Sequence, residues 1–488
     1  MTPTLFVTEN GRFRPGEQAG VDAMLARLAA VENPRLLLFV HGGLVNQTDG
    51  INGANHFAWL IHELSGEGWE IAAPIWRSGV GEAVESNWEE LKKEPRFVRI
   101  ALRIAAWLDR RFGNKLFAEA MIATPPPGGG LEMLQQVELP EAEQVHAELA
   151  AQPEMLDQVL MVEDLTDQHL ADAELAQDIL ADEELVGWLE ADLPHVDQRI
   201  VRRVEATRRV PLTGSDKRAL ATPAAWIIAI AVARIGWRVL KRKINRRDHG
   251  LGPTIVEELL RALYLAKAGA ELWGSMKGDA RQHFDAGGAG TYLIERLGEM
   301  ARGGKDVRVL AIGHSAGALF CGRLARATRL APPNLSVGHI LLAPAIRIDE
   351  AAENYAAGRF EGLRIFTMND PREIANALDG KTFGKAYSRS LLYLISGALE
   401  DKGDYPDAPL LGMQRHLAPP YKGTRRENAA RERLEAVLAG LPDPVIFAPS
   451  PDNAAPGHRT NSFMHGGFWE DSLTYESIKE IARLGFKA

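Results

Sequence analysis

Short, continuously apolar runs alternate with stretches in which apolar residues recur at helical spacing, in both end regions of the chain. Apolar runs of four to eight residues are typical of strands that are buried on both faces. Such runs lie at 36–40, 71–76, 307–312, 339–343, 363–368 and 445–447, and helical spacing at 292–300, 318–327 and 475–484. The alternation predicts a mostly parallel sheet covered by helices, to which residues 5–7 add a candidate edge strand.

The middle of the chain has a different character. Residues 116–198 contain no Lys or Arg, and a basic run follows them directly from Arg199 to Arg209. Residues 125–130 read Pro-Pro-Pro-Gly-Gly-Gly, which is a linker by composition. We therefore divide the chain into an N-terminal core part (1–95), a mainly helical insertion (96–284) and a C-terminal core part (285–488). The acidic block is either a solvated helical face or an acidic docking surface.

A second feature of the insertion is the apolar segment 224–240 with its basic tail, which reaches residue 247. Pro223 suits a helix start, and the uncharged run 224–233 is too short to span a bilayer. The segment is either a buried cap helix whose basic end pairs with the acidic block, or a helix lying on a membrane surface. In the second case Trp226 and Trp237 would settle at the interface. The residues that would bind anionic headgroups are Arg238, Lys241, Arg242 and Lys243.

Composition excludes several function classes. The chain has 488 residues, 46% hydrophobic and 25% charged, which is ordinary for a globular protein with a large core. A net charge of −9 argues against general affinity for nucleic acid. The single cysteine, Cys321, excludes an internal disulfide and a thiolate zinc cluster, and no metal-binding motif or cofactor is implied. The N-terminus lacks the pattern of a secretory signal, so we expect a cytoplasmic protein.

The strand predicted at 307–312 runs directly into Gly313-His314-Ser315-Ala316-Gly317, and a helical stretch follows at once. This is the setting of a nucleophile elbow, in which a serine sits on a strained strand-to-helix turn between small residues. The helix that follows aims its N-terminal dipole at the serine and favours an oxyanion there. The alternative is a tight structural turn without chemistry. We predict that Ser315 is a nucleophile.

This motif in this setting resembles the α/β-hydrolase superfamily of serine esterases and lipases. The resemblance covers about 1–95 and 285–488. It implies an α/β-hydrolase fold, a mostly parallel sheet covered by helices, here with a large helical insertion (cap) before the nucleophile strand. It also implies that the triad follows the chain order Ser, acid, His. Caps in this family commonly follow the nucleophile strand, so the shape of known caps cannot be transferred to this chain.

The acid of the implied triad is assigned to Asp370, which ends the strand predicted at 363–368 and precedes Pro371. An acid there could accept the Nδ1–H of a histidine and fix its tautomer. The alternative is that Asp370 caps a helix that has Pro371 at its first position. Asp349 is the second candidate for the acid. Asp401 and Asp404 are weaker candidates because no clear strand leads to them.

The base of the triad should follow the last strand, after which two histidines occur, His458 and His465. His465 shortly precedes an amphipathic helix, where the family places its base, and two glycines follow it. We therefore assign the base to His465 and keep His458 as the alternative.

A candidate oxyanion hole lies near the N-terminus, where the strand 36–40 leads into His41-Gly42-Gly43-Leu44. This is similar to the His-Gly-Gly loop of esterases and lipases. The Ala316 amide and that of Gly43 or Leu44 would bind the oxygen, and His41 would brace the loop. The alternative is an ordinary loop at a strand end.

These residues together predict a cofactor-independent serine hydrolase acting on an acyl ester or lipid through Ser315, His465 and Asp370. Its partner is a small-molecule or lipid acyl substrate. The alternative is a catalytically silent protein with a hydrolase scaffold that binds partners through its acidic helical insertion.

Overall fold

A computed structural model describes residues 2–43, 47–76, 95–112, 223–264, 269–377, 387–400, 407–417 and 423–487. The acidic block and the Pro/Gly tract of the insertion lie outside the described residues.

The centre of the fold is one eight-stranded sheet in the order β2-β1-β4-β3-β5-β6-β7-β8. The strands are β1 (Thr4–Glu9), β2 (Arg12–Phe13), β3 (Arg35–Val40), β4 (Trp69–Trp76), β5 (Val307–His314), β6 (Leu335–Leu342), β7 (Gly362–Met368) and β8 (Val445–Ala448). All pairings are parallel except that of β1 with β2. The prediction of a mostly parallel α/β sheet is therefore confirmed.

Fifteen helices lie in the described residues. They are α1 (Glu17–Ala30), α2 (Gln47–Leu60), α3 (Glu63–Gly66), α4 (Pro95–Phe112), α5 (Pro223–Ile244), α6 (Leu251–Leu259), α7 (Gly269–Gln282), α8 (Ala289–Arg302), α9 (Gly317–Ala327), α10 (Ile348–Ala357), α11 (Asp370–Ala375), α12 (Leu391–Leu394), α13 (Gln414–Leu417), α14 (Arg425–Leu438) and α15 (Ser472–Leu484). Three of them, α8, α9 and α15, begin and end within three residues of the helical stretches predicted at 292–300, 318–327 and 475–484. Short π-helical turns continue α6 and α12.

Two apolar cores cover the two faces of the sheet, as the side-chain period of a strand requires. Along β3, Leu36 and Leu38 lie in the core that α1, α8 and α9 complete. The intervening Leu37 and Phe39 lie in the core that α2 and α15 complete. The continuous apolar runs in the sequence arise because these strands are buried on both faces.

The predicted edge of the sheet is longer than residues 5–7. These residues form part of β1 and pair with β4 alone, whereas Thr8 and Glu9 of the same strand pair with β2. There the edge is the two-residue β2, which folds back antiparallel after the turn at Asn10 and Gly11, both of which have positive φ. A two-residue strand shows too little alternation to be recognised in a sequence.

The described part of the insertion is helical, and its basic helix α5 begins at Pro223 as predicted. Trp237 is buried and packs edge-on against Trp107 of α4, with ring centroids 5.3 Å apart. Arg242 is buried too, and its guanidinium pairs with Glu257 at 2.6 Å and Glu258 at 3.2 Å, both on α6. These contacts favour the buried-helix interpretation of this segment. The basic end of α5 thus pairs with carboxylates outside the acidic block.

A buried polar network then ties α6 to the C-terminal part of the chain. His249 contacts Glu257 through Nδ1 and Asp407 through Nε2, both at 2.8 Å. His416 also contacts Asp407 at 2.8 Å. The Asp407 carboxylate therefore joins its own segment to those that contain His249 and His416. Within the part of the chain that the structure describes, no helix is both long and apolar enough to cross a membrane.

Candidate active site

Ser315 lies in the sharp turn between β5, which ends at His314, and α9, which begins at Gly317. Its φ is 52°, an uncommon value for a residue other than glycine. The neighbouring segment holds this conformation, because the Ser315 N–H donates to Leu342 O at 2.8 Å and the Ala345 N–H donates to Ser315 O at 3.0 Å. Backbone strain maintained in this way is common at functional sites.

Glycine is required on both sides of Ser315 by close backbone approach. A Cβ atom on Gly313 would lie 2.7 Å from the Gly317 carbonyl oxygen, and one on Gly317 would lie 2.3 Å from the Val40 carbonyl oxygen. Both distances are shorter than van der Waals contact allows. The first turn of α9 therefore packs directly against the end of β3, which brings the loop after β3 close to Ser315.

The second side chain at this site is that of His465, which contacts Ser315. It begins a short 3₁₀ turn, His465–Gly467, in the segment between β8 and α15. Its Nε2 lies 2.9 Å from the Ser315 Oγ, which is hydrogen-bonding distance. Burial, with a smaller contribution from the neighbouring His314, holds the pKa of His465 well below its usual range. The imidazole is therefore neutral at pH 7 and able to accept a proton.

The glycine loop after β3 lies against the same turn. Hypothetical Cβ atoms on Gly42 and Gly43 would lie 3.2 Å from the Ser315 Cβ and 2.9 Å from the Ala316 Cβ, respectively. The Ser315 N–H donates to the Leu342 carbonyl, so it is not the amide that would bind a substrate oxygen. The next amide along the turn is that of Ala316. Gly43 and Ala316 are thus side by side at the N-terminus of α9. Leu44 lies outside the described residues.

His41 and Trp76 hold this glycine loop. The His41 Nδ1 lies 2.7 Å from the Gly42 carbonyl oxygen, which can only accept, so this nitrogen carries the proton. The Trp76 Nε1–H donates to the His41 carbonyl at 3.2 Å from the end of β4. His41 makes no hydrogen bond to Ser315, and its contacts are those of a residue that braces the loop.

The structure does not bring Asp370 to His465. The Asp370 carboxylate accepts the Tyr393 hydroxyl at 2.7 Å, and its backbone N–H donates to Gln414 at 2.8 Å. Asp370 is the first residue of α11, and the cap of this helix is Asn369, which accepts the Arg372 N–H. Among the described residues, none forms a hydrogen bond with the His465 Nδ1, although this atom is buried.

The alternative residues lie elsewhere. The Asp349 carboxylate pairs with Arg347 at 2.8 Å. Burial alone would raise the pKa of Asp349, but the hydrogen bond and the charge of Arg347 help to bring it below its ordinary value. His458 bonds to the Pro456 carbonyl at 3.3 Å, so the serine is contacted by His465 and not by His458. Asp401 and Asp404 lie outside the described residues.

Two further buried histidines lie in the segments that form this site. Burial lowers the pKa of both His41 and His314 to about 4. A neutral base, a serine hydroxyl and two adjacent backbone amides at a helix N-terminus are the groups that acyl transfer requires. No cluster of His, Cys, Asp and Glu suited to a metal ion occurs in the described ranges.

Sequence reasoning missed the residues that hold the site together. His314 donates to the His465 carbonyl, Trp469 packs edge-on against the His314 ring with centroids 4.4 Å apart, and Trp76 holds the glycine loop. The elbow motif leaves the residue before the serine unspecified, so His314 carried no signal there. Trp469 lies four residues after His465, but an isolated tryptophan does not predict such a contact.

No protein-family model, no curated protein and no solved structure matches this chain. Its function is therefore inferred from the site itself.

Proposed function

We propose that this protein is a serine hydrolase that cleaves an acyl ester. The observation that carries the proposal is the 2.9 Å contact between the Ser315 Oγ and the His465 Nε2 at a strained strand-to-helix turn. A nucleophile within hydrogen-bonding distance of a base is the signature of nucleophilic catalysis. In this proposal the backbone amides of the neighbouring residues Gly43 and Ala316 supply the stabilisation that a tetrahedral intermediate needs.

In the first half of the proposed reaction, the Ser315 Oγ forms a bond to the ester carbonyl carbon as its proton passes to the His465 Nε2. The carbonyl electron pair moves onto the oxygen, which the amides of Gly43 and Ala316 hold as an oxyanion. The intermediate collapses by breaking the bond to the alcohol oxygen. That oxygen takes the proton from His465, and the acyl group stays on Ser315.

In the second half, water attacks the acyl carbon and gives its proton to the His465 Nε2. A second oxyanion forms and collapses, which releases the carboxylic acid, and the proton returns to the Ser315 Oγ. His465 needs a proton on Nδ1 throughout, and a carboxylate bonded there would secure that tautomer. We propose Asp370 for this role from its position after β7. In free enzymes some catalytic hydrogen bonds are long or poorly aligned and tighten when substrate binds.

We also propose that the chain has an α/β-hydrolase fold whose insertion caps the site. Two observations support this. The glycine loop follows β3, the serine follows β5 and the histidine follows β8, in the order that such enzymes use. In addition, α7 of the insertion reaches the site, because a Cβ on Gly43 would overlap the end of the Met276 side chain.

The surface beside His465 favours a substrate with an apolar part. Phe463 and Met464, which directly precede the base, have 65% and 56% of their area exposed. Ile374 adds 38% exposure on α11, and α11 is joined to this segment by the Asn376 side chain, which donates to the Phe463 carbonyl at 3.1 Å. Apolar side chains exposed at a site favour contact with an apolar ligand. We therefore propose apolar acyl esters, lipids included, as the substrate class.

The pH dependence of kcat/KM on a short acyl ester tests the role of His465. The free enzyme is active when His465 is neutral, so activity rises with pH through the pKa of this residue. Because burial lowers that pKa, we expect the acid limb to have its midpoint below 6.5, with little change between pH 7 and 8. A midpoint above 6.5 would contradict this account of the base.

A further inference from the structure

His314 lies beside both the nucleophile and the base. It is the last residue of β5, next to Ser315, and only 4% of its area is exposed. Its ring centroid is 5.2 Å from that of His465 and 4.4 Å from that of Trp469. The proposed chemistry uses Ser315 and His465 and leaves His314 without a role.

The hydrogen bond made by His314 has a definite direction. Its Nε2 lies 2.9 Å from the His465 carbonyl oxygen, which can only accept, so His314 carries its proton on Nε2. Burial lowers the pKa of His314 to about 4, which keeps the ring neutral with Nδ1 unprotonated. The buried Nδ1 has no hydrogen-bond partner among the residues that the structure describes. His314 is therefore a donor of one bond, and that bond goes to the backbone of the base.

This bond joins the two halves of the site. One end is at the carboxyl end of β5, where Ser315 is fixed by Leu342 and Ala345. The other end is the main chain of His465, in a segment that bears exposed Phe463 and Met464. The side chain of His465 reaches the Ser315 Oγ, while its carbonyl is held by the residue before that serine. The geometry thus ties the position of the base to the position of the nucleophile.

We propose that His314 is a positioning residue that holds His465 at attacking distance from Ser315. The inference rests on the proposed function. Its physical basis is that displacing a catalytic group by about 1 Å can cost about 10²-fold in rate. The His465 Nδ1 has no partner among the described residues, so the bond from His314 adds a hold on His465 that its own Nδ1 does not supply.

Two substitutions separate the hydrogen bond from the packing. His314→Phe keeps a flat ring against Trp469 but has no donor, whereas His314→Gln keeps an N–H donor at a similar reach but has no ring. We expect His314→Phe to lower kcat on a short acyl ester about 10- to 100-fold, with KM within about twofold of wild type. We expect His314→Gln to stay within about threefold of wild-type kcat. The rate of fluorophosphonate labelling should follow kcat in both variants.

Thermal unfolding and a control variant complete the experiment. His458→Gln alters a histidine that does not contact Ser315, and it should leave kcat and the labelling rate unchanged. If His314→Phe does not fold, His314→Met, which also lacks a donor, replaces it. A loss of kcat that is equal in the Phe and Gln variants, or a loss of stability at unchanged kcat, would show that His314 serves packing alone and would overturn the inference. A wild-type protein that neither hydrolyses esters nor labels would instead overturn the proposed function, and this inference with it.

Discussion

Replacement of Ser315 by alanine is expected to lower kcat for short acyl esters by at least about 10⁴-fold while the protein stays folded. The reason is that the proposed mechanism makes the Ser315 Oγ, 2.9 Å from the His465 Nε2, the atom that bonds to the acyl carbon. Loss of one methylene-bound hydroxyl leaves the turn intact, since the turn is held by backbone bonds to Leu342 and Ala345. Initial rates on a soluble ester, with circular dichroism of both proteins, measure this directly.

Ser336→Ala is the matched control for this variant. Ser336 lies in the neighbouring strand β6, and its hydroxyl donates to the exposed Glu361 carboxylate, away from the elbow. It should leave kcat unchanged. If Ser315→Ala kept wild-type activity, the nucleophile would be another group, and the mechanism would be wrong.

The second large effect is expected for Asp370→Asn, which should lower kcat by about 10³- to 10⁴-fold if Asp370 accepts the Nδ1–H of His465 during turnover. An amide in that position stabilises the wrong tautomer of the imidazole. In the free protein the Asp370 carboxylate accepts a hydrogen bond from the Tyr393 hydroxyl. The expected effect on kcat is therefore based on the position of Asp370 directly after β7, and not on a contact with His465. Single-turnover rates on an activated ester isolate the chemical step.

Tyr393→Phe separates the two roles of Asp370. It removes the hydroxyl that Asp370 accepts and leaves the carboxylate in place. We expect its kcat to stay within a few-fold of wild type. An Asp370→Asn variant that loses stability and keeps its single-turnover rate would assign Asp370 to the Tyr393 contact alone, and the acid of the site would have to be sought elsewhere.

Much of the sheet could be predicted from the sequence because burial on both faces produces continuous apolar runs. The strands at 307–312 and 363–368 were placed within two residues of β5 and β7 at each end. The short β2 could not be found, because two residues carry no periodicity. The elbow can be recognised because close backbone approach at Gly313 and Gly317 admits only glycine. A glycine therefore stands two positions before and two positions after Ser315, and this spacing is visible in the sequence.

The partners of the site residues were harder to predict because they depend on tertiary contacts. The resemblance implies the order Ser, acid, His along the chain, which suggests His465 for the base. In the structure the His465 Nε2 lies 2.9 Å from the Ser315 Oγ. The same order suggested Asp370, whose side chain turns instead to Tyr393, a residue 23 positions further along the chain. Arg242 was a candidate for contact with a membrane because its charge is visible in the sequence, while its buried pairing with Glu257 is not. Local patterns identify which groups are present, and packing decides which of them meet.

The most direct test of the central claim is labelling of the full-length protein with a fluorophosphonate, followed by peptide mass mapping. A fluorophosphonate forms a stable bond only with a serine that a neighbouring base activates. We expect one adduct, located on Ser315, that forms in wild type and is absent from both Ser315→Ala and His465→Ala. No adduct on the folded wild-type protein would contradict the account and favour a catalytically silent protein. An adduct that maps to a different serine would contradict the assignment of Ser315 and make that other serine the nucleophile.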